Sequence, residues 1–160
     1  MTDPHRLLKN AFGRYATGVT VVGCRDAAGA YAAITVNSFT SVSLTPPLVL
    51  WSIEKSASTF PAFMAADSYA VSVLKSGQAD ISQRFATRGA LGMQDNEIET
   101  WRTGSPLLKD RLAGFDCKVV DRHAAGDHFI LVGEVIEYDA KPGAPLLYFA
   151  SDYADGPTAP

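Results

Sequence analysis

Asn37, Ser38, Thr40 and Ser41 crowd together between two apolar runs, Ile34-Thr35-Val36 and Leu48-Val49-Leu50-Trp51. Short hydroxyl and amide side chains at such a junction let a flat ligand approach the backbone while still offering donors and acceptors. Sites for flat ligands are mostly apolar with a few placed polar groups, and this segment supplies both. The same composition also suits a hydroxyl-rich edge strand and turn that bind nothing, because Thr favours strands and Ser favours turns. A second cluster is more specific. Ser52, Lys55, Ser56, Ser58 and Thr59 set hydroxyls and one cation at the start of a helix predicted over 56–66. Orphan N–H groups and the positive end of a helix dipole favour a phosphate there, and Lys55 adds a point charge. Capping by Ser56 or Ser58 alone accounts for one hydroxyl and not for the group. Arg84-Phe85, near the end of the next predicted helix, reads equally as a core Phe with a solvated Arg and as an Arg within reach of an anionic ligand.

Acid–base chemistry is poorly provided for. A hydrolase would need a G-x-S-x-G elbow, which the chain lacks, and a base drawn from His5, His123 or His128. His5 falls in the first turn of a terminal helix. Asp127 and His128 are neighbours on a strand, so their side chains point to opposite faces and do not make a triad. His123 and His128 have no further ligands at metal-binding spacing. His128, beside the Gly126-Asp127 turn, is the better candidate for a ligand contact. No G-x-G-x-x-G and no Walker glycine loop occurs, so any dinucleotide must bind outside a Rossmann crevice.

The elements that must hold these groups are mostly strands. Asp3-Pro4 fits a helix start, followed by Leu7, Leu8, Ala11, Phe12 and Tyr15 at helical spacing. Strands are expected over 19–22, 31–37, 47–53, 69–74, from Phe115 to Val119, over 129–138 and over 145–150, with a helix over 80–87. The interval 88–105 lacks periodicity, which suits a functional or interface loop. Ile130, Leu131, Val132, Val135 and Ile136 place apolar side chains on both faces of one strand, which calls for a covering layer, either a closed barrel or a second subunit. Short strands with only short helices between them indicate a mainly β barrel. One domain over 1–150 with a disordered tail over 151–160 is expected from the 160-residue length and the Gly156-Pro157 ending.

Charged residues make up 19% of the chain, below the usual level of about 25%, so part of the surface is expected to be covered in a homodimer or larger assembly. A net charge of −3 gives no nucleic-acid footprint, and Phe39, Trp51 and Trp101 lack clustered basic neighbours. No apolar run reaches membrane-spanning length. Cys24 and Cys117 lie far apart in apolar runs and read as core residues of a reducing, cytoplasmic compartment.

Taken in order, these pieces resemble the flavin reductase domain family, the FMN-binding split barrel of two-component monooxygenases. The resemblance runs through Phe12-Gly13-Arg14-Tyr15-Ala16-Thr17-Gly18-Val19, the segment from Thr35 to Leu50, the hydroxyl cluster at 55–59, Arg84-Phe85-Ala86, Gly126-Asp127-His128 and Pro145-Leu146-Leu147-Tyr148-Phe149. It implies a homodimer of Greek-key-like split β-barrels with short peripheral helices. Such a protein reduces FMN or FAD with NADH or NADPH and supplies the reduced flavin to a monooxygenase. By that likeness Thr35, Val36, Asn37, Ser38 and Ser41 line the isoalloxazine ring. Ser52, Lys55, Ser56, Ser58 and Thr59 hold the ribityl and phosphate, helped by Arg84 and Phe85. His128 and Tyr148 lie near the nicotinamide, with His128 the catalytic candidate; no metal is implied. Ala33 stands where the family often has glycine, and Thr45 where it often has Asp before the Pro-Pro pair. A flavin-binding protein without nicotinamide turnover, and a flavoenzyme acting on another substrate, are the alternatives.

Overall fold

The computed structural model describes residues 2–160. Among the described residues there are twelve strands and three α-helices. Seven of the strands form one antiparallel sheet: β3 (Tyr31–Val36), β2 (Thr20–Arg25), β6 (Ser68–Val73), β9 (Ala113–Ala125), β10 (His128–Ala140), β5 (Pro47–Glu54) and β4 (Thr40–Leu44), in that order across it. The two edge strands are β3 and β4, yet only Asn37, Ser38 and Phe39 lie between them in the chain. A flat sheet of this width would hold its edges ~29 Å apart at ~4.8 Å per strand. The link from Val36 to Thr40 reaches ~14 Å at most. The sheet must therefore coil until its edges nearly meet, and because β3 and β4 do not pair with each other the barrel stays split.

Inside the coil, Val22, Cys24, Trp51, Phe63, Tyr69, Val71, Cys117 and Leu131 form the main core. Trp51 packs edge-on against Phe63 and Tyr69, with ring centroids 4.9 and 5.7 Å away. β10 passes so close over Tyr69 that a Cβ on Gly133 would fall on the Tyr69 hydroxyl. A second core lies outside the barrel, where Val19, Val21, Leu74, Phe85 and Leu146 pack together. That is why β2 is buried on both faces. It is closed by α3 (Ala79–Ala86) and by a small sheet of β1 (Thr17–Gly18), β11 (Leu146–Phe149) and β12 (Asp152–Asp155).

Several boundaries differ from expectation. α1 (Arg6–Phe12) starts after the Asp3-Pro4 pair; Asp3 Oδ1 accepts from the His5 N–H at 2.9 Å without capping the helix. α2 is only Phe60–Ala65, with Pro61 in its first turn, so Ser56–Thr59 is a turn and not helix. The segment 88–105 is less irregular than its sequence suggests. It holds a 3-10 turn at Asp95–Glu97 and β7 (Ile98–Thr100), which pairs with β8 (Pro106–Leu108). Two buried polar residues tie it down. Asp116 accepts the Thr103 N–H at 2.9 Å and its hydroxyl at 2.5 Å. Arg111 pairs with Glu99 at 2.7 Å and Asp139 at 2.5 Å. The tail over 151–160, expected to be disordered, contains β12, which pairs residue for residue with β11.

Candidate functional site

The crossover from β3 to β4 separates two clefts. The first, of about 550 Å³, runs along the outer edge of β3 from Tyr31 to Thr35. Its far wall is the turn Ser56–Thr59, the end of α3 at Arg84 and Phe85, and the segment 87–92. The second, about 860 Å³, lies on the other side and is bounded by α1, Asn37, Ser38 and Tyr148. Thr35 and Asn37, two positions apart, thus face different clefts, and the residues around them form a ledge between the two.

The hydroxyls of the ledge are partly committed. Thr35 Oγ1 donates to the Ser82 carbonyl of α3 at 2.6 Å, which holds that helix against β3. Ser38 Oγ accepts the Ser52 N–H at 3.0 Å and donates to the Ser52 carbonyl at 3.3 Å, bracing the crossover against β5. Ser52 therefore meets the ledge through its backbone. Val36 packs on the main core.

At the turn, Ser56, Ser58 and Thr59 line the first cleft. Thr59 Oγ1 is buried without a hydrogen-bond partner. An orphaned hydroxyl costs free energy unless something satisfies it, and here it borders a cleft already rich in hydroxyls. With only the six residues of α2 behind it, the turn has little helix dipole to offer an anion.

The cations are distributed differently from the sequence reading. Lys55 lines neither cleft; its ammonium lies over the Phe129 ring, 5.4 Å from the centroid. Arg84 borders the first cleft but is engaged by an ion pair between Nη2 and Glu97, and its guanidinium stacks on Phe85 at 4.4 Å. Phe85 is nearly buried in the second core while its edge lines the cleft. Arg88, not foreseen as a site residue, donates from Nη2 to the Ser56 carbonyl at 2.9 Å. The one sequence signal for it was the aperiodic stretch it opens.

His128 and Tyr148 are not brought together. Tyr148 lines the second cleft, whereas His128 sits at the β9–β10 hairpin end, opposite Glu54 in the sheet register. Its Nδ1 is 2.7 Å from Asp127 Oδ1, and this hydrogen bond holds the Asp127 carboxyl below the usual carboxylate range. Neighbours on a strand do meet here, because the hairpin turn bends the chain between them. Ser41 lies on exposed β4 outside both clefts. Among the described residues no group of His, Cys, Asp or Glu is arranged to hold a metal.

The structure is thus a split antiparallel barrel with a ledge of small polar residues between two clefts and a hydroxyl-lined turn beside the first. The chain belongs to the family described as Flavin reductase like domain, whose profile matches residues 12–157. It is 45% identical over 143 residues to FMN reductase (NADH) SmoA of Agrobacterium fabrum, spanning 89% of this chain and 81% of that one. To NADH-dependent flavin reductase of a Rhodococcus species it is 39% identical, over 91% and 83% of the two chains. Among solved structures, the flavin reductase PheA2 superposes with a TM-score of 0.86 at 38% identity, over 97% and 98% of the chains. BorF, the flavin reductase component of a bacterial two-component tryptophan halogenase, superposes at 0.88 and 34%, over 95% and 98%.

Proposed function

We propose that this protein is an NADH-dependent flavin reductase that reduces FMN or FAD and releases it to a flavin-dependent monooxygenase. The observation that carries the reading is the ledge with a cleft on each side. The first cleft suits the ribityl phosphate tail, with Ser56, Ser58 and the orphaned Thr59 hydroxyl as its polar contacts. The second suits the nicotinamide, with Asn37 and Tyr148 on its wall. A flavin bound on the ledge supplies the hydride acceptor, so the protein needs no general base of its own. Its residues contribute alignment: the braces from Thr35 to α3 and from Ser38 to β5 keep the ledge rigid, and rigid positioning of two rings is a large part of the acceleration available to such an enzyme. His128 then acts from the hairpin end, reaching a nicotinamide only at a neighbouring subunit's cleft or after the hairpin moves.

The relatives named as NADH-dependent reductases support NADH as the donor, and the same assay measures NADPH. Exposed apolar residues of α1 and β4 support a homodimer. The reading sets the protein in the cytoplasm, where NADH is present and Cys24 and Cys117 stay reduced; no helix among the described residues is long and apolar enough to cross a membrane. Anaerobic mixing of protein, NADH and FMN or FAD, with absorbance followed at the NADH and flavin bands, tests it. Both bands are expected to fall together, with no NADH loss when flavin is omitted. Absence of flavin-dependent oxidation of NADH with either flavin would end the proposal.

A further inference from the structure

β9 breaks its alternation at Val120. Its register against β10 steps from Val119 opposite Gly133 to Asp121 opposite Val132, which leaves Val120 as a bulge. Strict alternation from the buried Cys117 would turn Asp121 inward. With the bulge, Arg122 takes that place, opposite Leu131, which is fully buried in the main core. Residues directly opposite each other share a face, and bulges re-aim side chains in this way. Here β9 has run past the end of β6, where Ser68 pairs with Lys118, and it continues along the junction between α2 and β6. The Val119 N–H donates to the Asp67 carbonyl at 2.9 Å, and Arg122 Nη2 donates to the carbonyl of Ala66, the residue that ends α2. A cation on the last carbonyl of a helix is a favourable cap. Arg122 has no carboxylate partner among the described residues, and its Nε is buried without an acceptor. The same hairpin holds the other end of α2. Phe129 packs on Phe60, the first residue of the helix, with ring centroids 5.6 Å apart, and the Asp127 carbonyl accepts the Lys55 N–H at 2.9 Å. A helix of six residues is only about 9 Å long and moves as one piece. What fixes Ala66 therefore also fixes the turn that precedes Phe60.

We propose that Arg122 is a positioning residue for flavin capture: from the inner face of β9 it anchors the C-terminal end of α2, and through that helix it sets the wall of the first cleft. Arg122 lines neither cleft, so it acts only through α2. The proposal rests on the flavin reading above. The braces of the ledge, from Thr35 to Ser82 and from Ser38 to Ser52, do not pass through α2. Loosening Ala66 thus leaves the alignment of the two rings in place, and the loss falls on holding the flavin and not on NADH or on hydride transfer.

Arg122→Met keeps an apolar stem over the core and drops the donors, whereas Arg122→Lys keeps a donor on a longer, unforked chain. NADH oxidation is measured for wild type and both variants, with FMN varied at saturating NADH and NADH varied at saturating FMN. FMN is also titrated by fluorescence without NADH, and urea unfolding is followed in parallel. Arg122→Met is expected to raise the KM and the Kd for FMN by roughly five- to tenfold while kcat and the KM for NADH stay within about twofold. Arg122→Lys should recover part of that loss. A purely structural role would lower the urea midpoint and leave the FMN constants of the folded protein as they were. Unchanged FMN constants in folded Arg122→Met, or equal rises in the constants for FMN and NADH, overturn the proposal while the flavin reading stands. Arg122→Ala, judged by the same criteria, replaces the Met variant if that one does not fold. If the wild type shows neither FMN binding nor flavin-dependent NADH oxidation, the flavin reading falls and takes this one with it.

Discussion

Cys24 and Cys117 show how surroundings redirect a residue's chemistry. Both are fully buried in the main core. Burial, with Asp26 a lesser contributor, pushes the Cys24 thiol up to about 12 from an ordinary 9.0. Cys117 is pushed up too, by burial and then by Asp116. A folded-state value above the unfolded one means that the contribution to stability is fully present below pH 9.0. It is lost as pH climbs through the folded value, because only the unfolded chain releases its thiol protons in that window. Urea unfolding should therefore lose up to about 1 kcal/mol per pH unit for each thiol above pH 9. Tyr69, also raised by burial from 10.0, adds to the slope further up. A Cys24→Ala, Cys117→Ala protein measured from pH 8 to 11 should show a shallower decline than wild type. Equal slopes would mean that the thiols are not sheltered as the fold implies. At this scale the sequence was read well for residue types and poorly for their commitments. The hydroxyls at 35, 38 and 56–59 were all visible, but which were already spent on Ser82 or Ser52 depends on neighbours distant in the chain.

The least legible element was β12. Four residues with one half-buried aromatic, flanked by Asp152 and the Gly156-Pro157 pair, give almost no strand signal, yet Tyr153 connects the C-terminus to the cleft. Its hydroxyl lies 2.7 Å from Ser82 Oγ, and its ring packs on Tyr148 at 5.5 Å. Ser82 in turn receives the Thr35 hydroxyl through its carbonyl. Thus β12, α3 and β3 form one braced wall, with the second cleft's Tyr148 against its base. Tyr153→Phe keeps the ring and strands a buried serine hydroxyl, which should cost roughly 1–3 kcal/mol in urea unfolding and weaken flavin binding by a few-fold. The same variant with unchanged stability would show that the tail merely lies on the barrel. The strands of the large sheet were all foreseen except β4, whose small polar residues read more readily as ledge than as sheet. Helix starts were shifted, because Pro4 and Pro61 mark an early turn without stating which residue begins it.

For the molecule as a whole, the sequence announces many short strands but not their closure. Closure follows from β3 and β4 being consecutive in the chain and outermost in the sheet, a relation visible only once the pairing is known. The coil satisfies the inner faces and leaves apolar side chains outside it. Leu7 and Phe12 on α1 are 84% and 68% exposed, Tyr15 beyond it 79%, and Leu44 at the end of β4 91%. No residue of α1 is buried, so this helix gains nothing from its own barrel. An amphipathic helix is marginal in water without a packed face, and a second copy of the chain is the occupant that the low overall charge favours. α1 also forms a wall of the second cleft, so a second copy seated on this helix would border that cleft. Sedimentation should therefore find a dimer at micromolar concentration. Phe12→Glu and Leu44→Glu together should shift it to monomer and lower NADH oxidation more than flavin affinity, because the first cleft is walled by one chain while α1 borders the second. A wild-type monomer with full activity would show that each barrel carries a complete site and that its exposed face has another use.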